Sequence, residues 1–171
     1  MRPYRQEDFE ACLALFDSNT PSFFAPEERA AFERFLLKGS GRYFVLEEEG
    51  RVVACGGVAL APDAYPACSG GVPLPPDSSG LTWGMVAQNL HRRGLGTQLL
   101  QARLGWLRAH APHVREVRLS TSQFTAPYYA RQGFRPLNVT PDGFAPGIDA
   151  VEMRLEWLTP GLNGEGQSGQ P

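Results

Sequence analysis

Residues 84–97 read GMVAQNLHRRGLGT and combine, in order, the end of a strand, a polar loop and the start of a helix. Gly94 and Gly96 stand where that helix is predicted to begin. The first turn of a helix presents unpaired N–H groups and a partial positive charge, and glycines let the backbone approach a ligand closely. Arg92 and Arg93 add positive charge beside these groups. The segment therefore predicts a phosphate or pyrophosphate site.

The spacing of the glycines argues against two common nucleotide sites. A Walker loop needs GxxxxGK(S/T), and this segment has neither the lysine nor the spacing. A dinucleotide fingerprint needs a third glycine, but Gly94-x-Gly96 continues to Leu99. One alternative stays open from the residues alone, namely a surface loop whose glycines only mark the helix boundary.

Hydrophobic periodicity predicts the elements around this segment. Helices are predicted over Glu7–Phe16, Pro26–Leu37, Leu95–His110 and Ala126–Gln132. Strands are predicted over Tyr43–Leu46, Val52–Leu60, Leu81–Ala87, Val114–Ser120, Phe134–Val139 and Ala150–Trp157, with a hairpin turn at Glu49-Gly50. This order predicts an α+β protein with one mixed sheet and helices packed on it.

Length and composition limit the classes of protein. The chain has 171 residues, which predicts one domain over residues 1–158 and a disordered tail over 159–171. The formal net charge of −2 argues against a nucleic-acid binder held by bulk charge. Because we find no apolar run long enough for a membrane span and no secretory signal, we expect a cytoplasmic protein. Three cysteines and three histidines without ligand spacing predict no metal site.

Two motifs in register carry a family resemblance. His91-Arg-Arg-Gly-Leu-Gly96 resembles motif A of the GNAT superfamily, (Q/R)-x-x-G-x-(G/A), with His91 in place of Gln or Arg. Residues 126–134 resemble motif B, in which a Tyr precedes a Gly-Phe pair by four residues, and Tyr129 holds that position before Gly133. The chain is identified as a member of this superfamily, similar to small uncharacterised bacterial acetyltransferases.

The resemblance implies a mixed, mostly antiparallel sheet that splays between its fourth and fifth strands, with helices on both faces. It implies acetyl transfer from acetyl-CoA to a primary amine, by direct attack in a ternary complex. Gly84 would mark a bulge beside the splay. The N–H of Val86 would stabilise the oxyanion, and Tyr129 would be the general acid for the leaving thiolate, with Tyr128 as its competitor. The cofactor would contact Met85, Val86, Ala87, His91, Arg92, Arg93, Gly94, Leu95, Gly96 and Thr97.

The general base and the acceptor are less defined. No residue over 82–84 can take a proton, so Asp142 or Asp149, in a predicted loop over residues 140–149, or a water chain would serve. Asn19, Phe23 and Phe24 are the predicted acceptor-binding residues, and the loop over 61–80 could cover the cleft. The acceptor would be a small-molecule, peptide or protein amine, without nucleic acid or membrane, and the chain a monomer or homodimer. Two other hypotheses are a non-catalytic acyl-CoA-binding sensor and a purely structural domain.

Overall fold

The structure is a computed structural model that describes residues 1–38, 42–61 and 74–156. The strands are β1 (Arg2–Pro3), β2 (Tyr43–Glu48), β3 (Arg51–Leu60), β4 (Ser78–Val86), β5 (Glu116–Thr121), β6 (Arg135–Ala145) and β7 (Ile148–Glu156). The helices are α1 (Phe9–Asn19), α2 (Arg29–Lys38), α3 (Leu95–His110) and α4 (Ala126–Arg131). Three predictions fall outside the described residues: the tail over 159–171, the end of the last strand at Trp157, and most of the 61–80 loop.

All these strands join one mixed sheet in the order β1-β2-β3-β4-β5-β7-β6. β4 and β5 run parallel, and every other neighbouring pair is antiparallel. The predicted fold class is confirmed. The hairpin turn at Glu49-Gly50 is also confirmed, because both residues have positive φ, +51° and +75°, as a tight two-residue hairpin requires.

Helices cover both faces of the sheet. Side chains of neighbouring strand residues point to opposite faces, and Phe44 packs in a core cluster with α3 while Val45 packs in a cluster with α1 and α2. The predicted bounds of α3 are those observed, and its buried stripe includes Leu95, Leu99, Leu100, Leu104 and Leu107. No helix in the three described ranges is long and apolar enough to cross a membrane.

The sheet splays between β4 and β5, as predicted. Their pairing runs only from Ser78 opposite Glu116 to Gly80 opposite Arg118. Beyond this point β4 continues to Val86 and stays paired with β3, while β5 continues along β7. The two strands therefore separate and leave a cleft between their carboxyl ends.

A bulge in β4 lies at the edge of this cleft. Cys55 pairs with Met85 and Gly57 with Thr82, so two residues of β4, Trp83 and Gly84, lie opposite Gly56 alone. Trp83 has a φ of +41°. The bulge predicted at Gly84 is confirmed, and it increases the local twist of the strand that borders the cleft.

One predicted loop was wrong, and one short strand was not predicted. Residues 140–149 do not form a loop, because β6 and β7 extend to a turn at Pro146-Gly147, where Gly147 has a φ of +78°. The pairing of β6 with β7 shifts in register after Thr140. This shift interrupts the alternation of apolar and polar residues by which a strand is predicted from sequence. β1 was missed because two residues carry no periodicity.

Candidate functional site

A cavity of about 520 Å³ opens between the separated ends of β4 and β5. It is bounded by the α1–α2 connection, β4, the loop before α3, β5 and α4. The predicted site residues that line it are Asn19, Phe23, Phe24, Met85, Val86, His91, Arg92, Gly94, Gly96, Thr97 and Tyr129. Ala87, Arg93, Leu95, Asp142 and Asp149 are not among its described lining residues.

The N-terminus of α3 presents free amide groups to this cavity. Gly94 precedes the helix with a φ of +86°, and no side chain caps the helix. The first helical hydrogen bond runs from the N–H of Gln98 to the carbonyl of Gly94, at 3.0 Å. The N–H groups of Leu95, Gly96 and Thr97 therefore lack helical acceptors. They form a compact set of donors at the positive end of the helix dipole, suited to an anion.

The two arginines before this turn differ in position. Arg92 lines the cavity. Arg93 instead lies within 4.0 Å of the Glu48 carboxylate, with more than half of its side chain exposed. The Leu95 side chain is buried in the core with Leu99, so only its backbone belongs to the turn.

Val86 is the β4 residue whose backbone faces the cleft. The N–H of Ala87 donates to the carbonyl of Val53 at 2.9 Å, so Ala87 is bonded to β3. Because backbone groups of successive strand residues point to opposite edges, Met85 also faces β3 and Val86 faces the opposite edge. Among Met85, Val86 and Ala87, the three residues predicted to pair with the cofactor, Val86 alone has its N–H directed toward the cavity.

The carbonyl of Val86 is fixed by two side chains. The Nδ2 of Asn19 donates to it at 2.8 Å, and the Nε2 of His91 lies 3.0 Å from it. Since a carbonyl only accepts, His91 holds its proton on Nε2. The His91 ring also packs edge-on against Phe23, with ring centroids 5.2 Å apart. His91 and Asn19 thus hold the end of β4 in place.

Tyr128 and Tyr129 contribute differently, as expected for adjacent helical residues. A Cβ on Gly96 would lie 3.6 Å from the Tyr128 hydroxyl, so this hydroxyl is directed at the α3 turn. Burial raises the pKa of Tyr128, and the neighbouring Thr97 hydroxyl opposes that shift. Tyr129 packs edge-on against Phe134 at 5.5 Å, and its carbonyl accepts the N–H of Phe134 at 3.1 Å.

That last contact explains the spacing of the Tyr-x-x-x-Gly-Phe motif. Gly133 ends α4 with a φ of +92°, a conformation that favours glycine. The reversal returns Phe134 to Tyr129 and sets the tyrosine ring against the buried Phe134 side chain.

Glu28 was missed as a site residue. It is the one carboxylic acid among the described residues that line the cavity. One of its oxygens, Oε2, accepts the N–H of Ala25 at 2.9 Å. Burial raises its pKa, and the Ala25 bond opposes that shift. In the sequence Glu28 is an ordinary first-turn acid, so no local pattern distinguishes it.

Arg103 was also missed. It lies on α3 among leucines, is 2% exposed, and lines the cavity. Its surroundings are the bulge residues Gly56 and Gly84. A helical stripe identifies a position as buried but does not reveal that the position borders a cavity.

Asp142 and Asp149 stabilise the β6–β7 hairpin. The Asp142 carboxylate accepts the N–H of Gly147, and the Asp149 carboxylate accepts the N–H of Asp142 at 3.0 Å. The N–H of Asp149 in turn donates to the Gln123 side chain. Neither carboxylate is among the described residues that line the cavity, so the acceptor-binding and base roles of Asp142 and Asp149 stay predictions, and Glu28 is the carboxylate better placed for proton removal.

The sequence matches a known protein family over the residues that form this site. Residues 9–134 match the model of the acetyltransferase (GNAT) family. The chain belongs to the GNAT acetyltransferase family. The match begins at α1 and ends with Phe134, so it spans the cleft and both motifs of this GNAT acetyltransferase.

Solved structures show the same fold. A protein from Desulfovibrio desulfuricans assigned to the GNAT family superposes with a TM-score of 0.70 at 21% identity, covering 91% of this chain and 96% of that one. The ribosomal-protein-S18-alanine N-acetyltransferase of Escherichia coli has a TM-score of 0.68 at 17% identity, covering 95% and 96%. Rv2747 of Mycobacterium tuberculosis, solved with CoA, has a TM-score of 0.66 at 18% identity, covering 92% and 98%. No protein of curated function matches this GNAT sequence.

Proposed function

We propose that this GNAT acetyltransferase moves an acyl group, acetyl in the simplest case, from acetyl-CoA to a primary amine. The observation that supports it most is the convergence on one cavity of the Val86 N–H, the uncapped turn of α3 and the Tyr129 side chain. The acceptor is a small-molecule, peptide or protein amine.

The chain has the groups that CoA needs. The free N–H groups of residues 95–97, with Arg92 beside them, suit its diphosphate. Gly96 has no side chain to separate that phosphate from the backbone. CoA, when bound, supplies a thioester whose carbonyl carbon is open to attack by an amine. The Val86 N–H is positioned to donate a hydrogen bond to the carbonyl oxygen and to stabilise the negative charge that develops on it.

Proton movement is assigned to Glu28 and Tyr129. At pH 7 about one in 10³ amines with a pKa near 10.4 is neutral, so a proton acceptor assists attack. Glu28 takes the proton from the amine, directly or through water, as the N–C bond forms. The C–S bond then breaks, and the Tyr129 phenol gives a proton to the sulfur. Solvent returns a proton to Tyr129 and removes one from Glu28, which balances the cycle.

Aromatic rings line the acceptor side of the cavity. Phe24 packs against Phe16 at 5.1 Å and against Trp83 at 6.3 Å. Phe23, held against His91, lies beside them on the same connection. Phe23, Phe24 and Trp83 together form an aromatic wall of the cavity, and Glu28 lies at its end. This arrangement suits an amine attached to an apolar group.

The direct test measures CoA release from acetyl-CoA with a panel of polyamines, amino acids, aminoglycosides and peptide N-termini. We expect at least one amine to give turnover, and the product mass to increase by one acetyl group. If acetyl-CoA and longer acyl-CoA thioesters raise the melting temperature but no amine reacts with any of them, the protein is an acyl-CoA-binding sensor. If neither CoA nor acetyl-CoA binds, both the transferase and the sensor proposals fail.

A further inference from the structure

Arg103 is a buried cation without a matching anion in the described ranges. Its side chain is 2% exposed, and it forms no ion pair with any residue that the structure describes. Its single hydrogen bond to the described chain runs from Nη1 to the Gly57 carbonyl at a long 3.5 Å. The buried Nε has no partner there. A buried unpaired guanidinium is strongly unfavourable, so Arg103 requires an anion from elsewhere.

The bulge provides the space for this guanidinium. A Cβ on Gly84 would lie 2.9 Å from Nη1 and 3.0 Å from Nη2 of Arg103, and a Cβ on Gly56 would lie 3.0 Å from Nη1. Both positions must therefore lack a side chain for Arg103 to occupy its place. The planar head lies on the strand that borders the cavity, and it can hold a carboxylate through two parallel hydrogen bonds.

The position of Arg103 relates it to the donor side of the cavity. It follows Leu95 on α3, about 12 Å farther along the helix axis than the proposed diphosphate site. The aromatic wall and Glu28 come from the α1–α2 connection, and Phe24 packs in the core cluster on the opposite face from α3. An anion that reaches Arg103 from the α3 side therefore belongs to the acyl donor.

The distance along β4 defines the acyl chain. Gly84 precedes Val86 by two residues, which is about 6–7 Å in an extended strand. With the acyl carbonyl at the Val86 N–H, a group two or three carbons longer places its end at Arg103.

We propose that Arg103 binds the terminal carboxylate of the transferred acyl group, so that the preferred donor is a dicarboxylic acyl-CoA of malonyl or succinyl type. This inference rests on the proposed function and names its donor class. The bond changes stay those of acyl transfer: the N–C bond forms, the C–S bond breaks, and the distal carboxylate takes no part. A carboxylate on the acceptor amine has the same chemistry, and the experiment separates the two sources.

The test compares succinyl-CoA with butyryl-CoA, which have acyl groups of equal carbon number and differ in the carboxylate. Acetyl-CoA and malonyl-CoA complete the series. Dissociation constants from competition against a fluorescent CoA analogue give a readout independent of turnover. For the wild-type protein we expect succinyl-CoA or malonyl-CoA to exceed butyryl-CoA by about 10- to 100-fold in affinity or kcat/KM, as for a hydrogen-bonded charge pair.

Arg103→Met keeps an unbranched apolar side chain in place of the aliphatic part of Arg103 and removes the guanidinium with its charge. Since an unpaired buried charge is lost, we expect this variant to fold with an unchanged or higher melting temperature, and to lose the preference for the dicarboxylic donors. Arg103→Lys retains part of the preference, because it keeps the charge but not the paired geometry. Arg108→Met, an exposed position on the same helix, is the matched control and keeps the wild-type preference.

Three results would overturn the inference. One is wild-type binding and transfer of butyryl-CoA as good as those of succinyl-CoA. Another is a preference for the acceptor instead of the donor. In that case the protein would prefer phenylalanine to phenethylamine, Arg103→Met would abolish this preference, and the wild type would not distinguish succinyl-CoA from butyryl-CoA. The third is a large loss of stability in Arg103→Met with unchanged donor preference. This result would show that Arg103 pairs with an anion that stabilises the fold and does not bind the donor. In each case transfer from acetyl-CoA still supports the proposed function, whereas failure of all donors to bind rejects that function itself.

Discussion

The Nδ2 of Asn19 and the Nε2 of His91 meet at one atom, the carbonyl oxygen of Val86, at 2.8 and 3.0 Å. Asn19 ends α1, and His91 lies in the loop before α3. Each lone pair of this oxygen therefore has a donor from a different element. The peptide plane between Val86 and Ala87 is fixed from both sides, and with it the end of the strand whose Val86 N–H faces the cavity.

Replacing Asn19 by Leu should destabilise the fold by about 1–3 kcal/mol, because a buried acceptor loses a donor. Asn19 is 2% exposed and also donates to the Leu15 carbonyl at 2.8 Å. Urea denaturation measures the effect as a lower midpoint with an unchanged slope. Ser22→Ala, an exposed change in the same connection, is the control. Equal midpoints for Asn19→Leu and the wild type would show that this contact does not support the strand.

Tyr129→Phe and Tyr128→Phe should separate chemistry from binding. If Tyr129 is the general acid, its loss lowers kcat by about 10²- to 10⁴-fold and leaves the affinity for CoA nearly intact. Because the Tyr128 hydroxyl is directed at the α3 turn, its loss should mainly weaken CoA binding. Steady-state kinetics with varied acyl-CoA distinguish the two effects. A Tyr129→Phe enzyme with wild-type kcat refutes its role as the acid.

Gly96→Val should block CoA binding while the protein remains folded. The nearest atoms to an added Cβ lie at 3.6, 3.7 and 3.9 Å, which is ordinary contact. Gly96→Ala, which adds this Cβ alone, separates a clash with the phosphate from crowding of Tyr128 by the valine methyl groups. Gly105→Ala on the same helix is the control, since nothing lies within 4 Å of its added Cβ. It should stabilise the helix by about 0.5–1 kcal/mol and leave binding unchanged. Isothermal titration with CoA measures binding to each variant. Wild-type affinity in Gly96→Val would show that the CoA diphosphate does not bind at the N-terminus of α3.

Glu28→Gln should remove the acidic limb of the pH profile of kcat/KM. Burial raises the pKa of Glu28, so its deprotonation, and the rise in activity, occurs above the usual value of about 4.3. A carboxyl with a raised folded pKa contributes stability below its unfolded pKa and loses it as pH rises through the folded pKa. The Gln variant should therefore gain stability relative to the wild type toward neutral pH.

Glu27→Gln is the matched control for this profile, because Glu27 is the exposed neighbour on the same turn. It should keep the limb and the pH dependence of the melting temperature, with the limb moved slightly to lower pH, because the pKa of Glu28 is raised by burial and, to a minor extent, by the Glu27 charge. An unchanged profile in Glu28→Gln would leave proton removal to water.

The sequence was sufficient for elements whose signals are local. The bounds of α3 follow from the apolar stripe between Leu95 and Leu107 and from the glycines before it, and these are the observed bounds. The bulge at Gly84 could be anticipated because a glycine inside a strand often marks a bulge or a close backbone approach, and because the family resemblance implies a bulge there. The splay came from the family resemblance, since strand pairing depends on residues far apart in the chain.

The charged groups of the cavity required the three-dimensional structure. Arg103 occupies a core position of the α3 pattern, and nothing in the sequence relates it to Gly56 and Gly84, which clear its space. Glu28 resembles any acid near a helix start. Conversely, the prediction for Asp142 and Asp149 depends on a loop over residues 140–149. The structure instead places both residues in a hairpin, where their carboxylates accept backbone hydrogen bonds, and neither is among the described residues that line the cavity.

The short contact between β4 and β5 also determines how the unliganded protein fluctuates. Among the described residues, three pairs, from Ser78–Glu116 to Gly80–Arg118, join the two halves of the sheet. Apart from the two-residue edge strand β1, this is the least-paired boundary in the sheet, and we expect local opening between the halves to start there. A molecule that fills the gap replaces the missing backbone partners and joins both halves. Occupancy would then be visible as slower amide hydrogen exchange on both strands at once, even for a donor that never reacts.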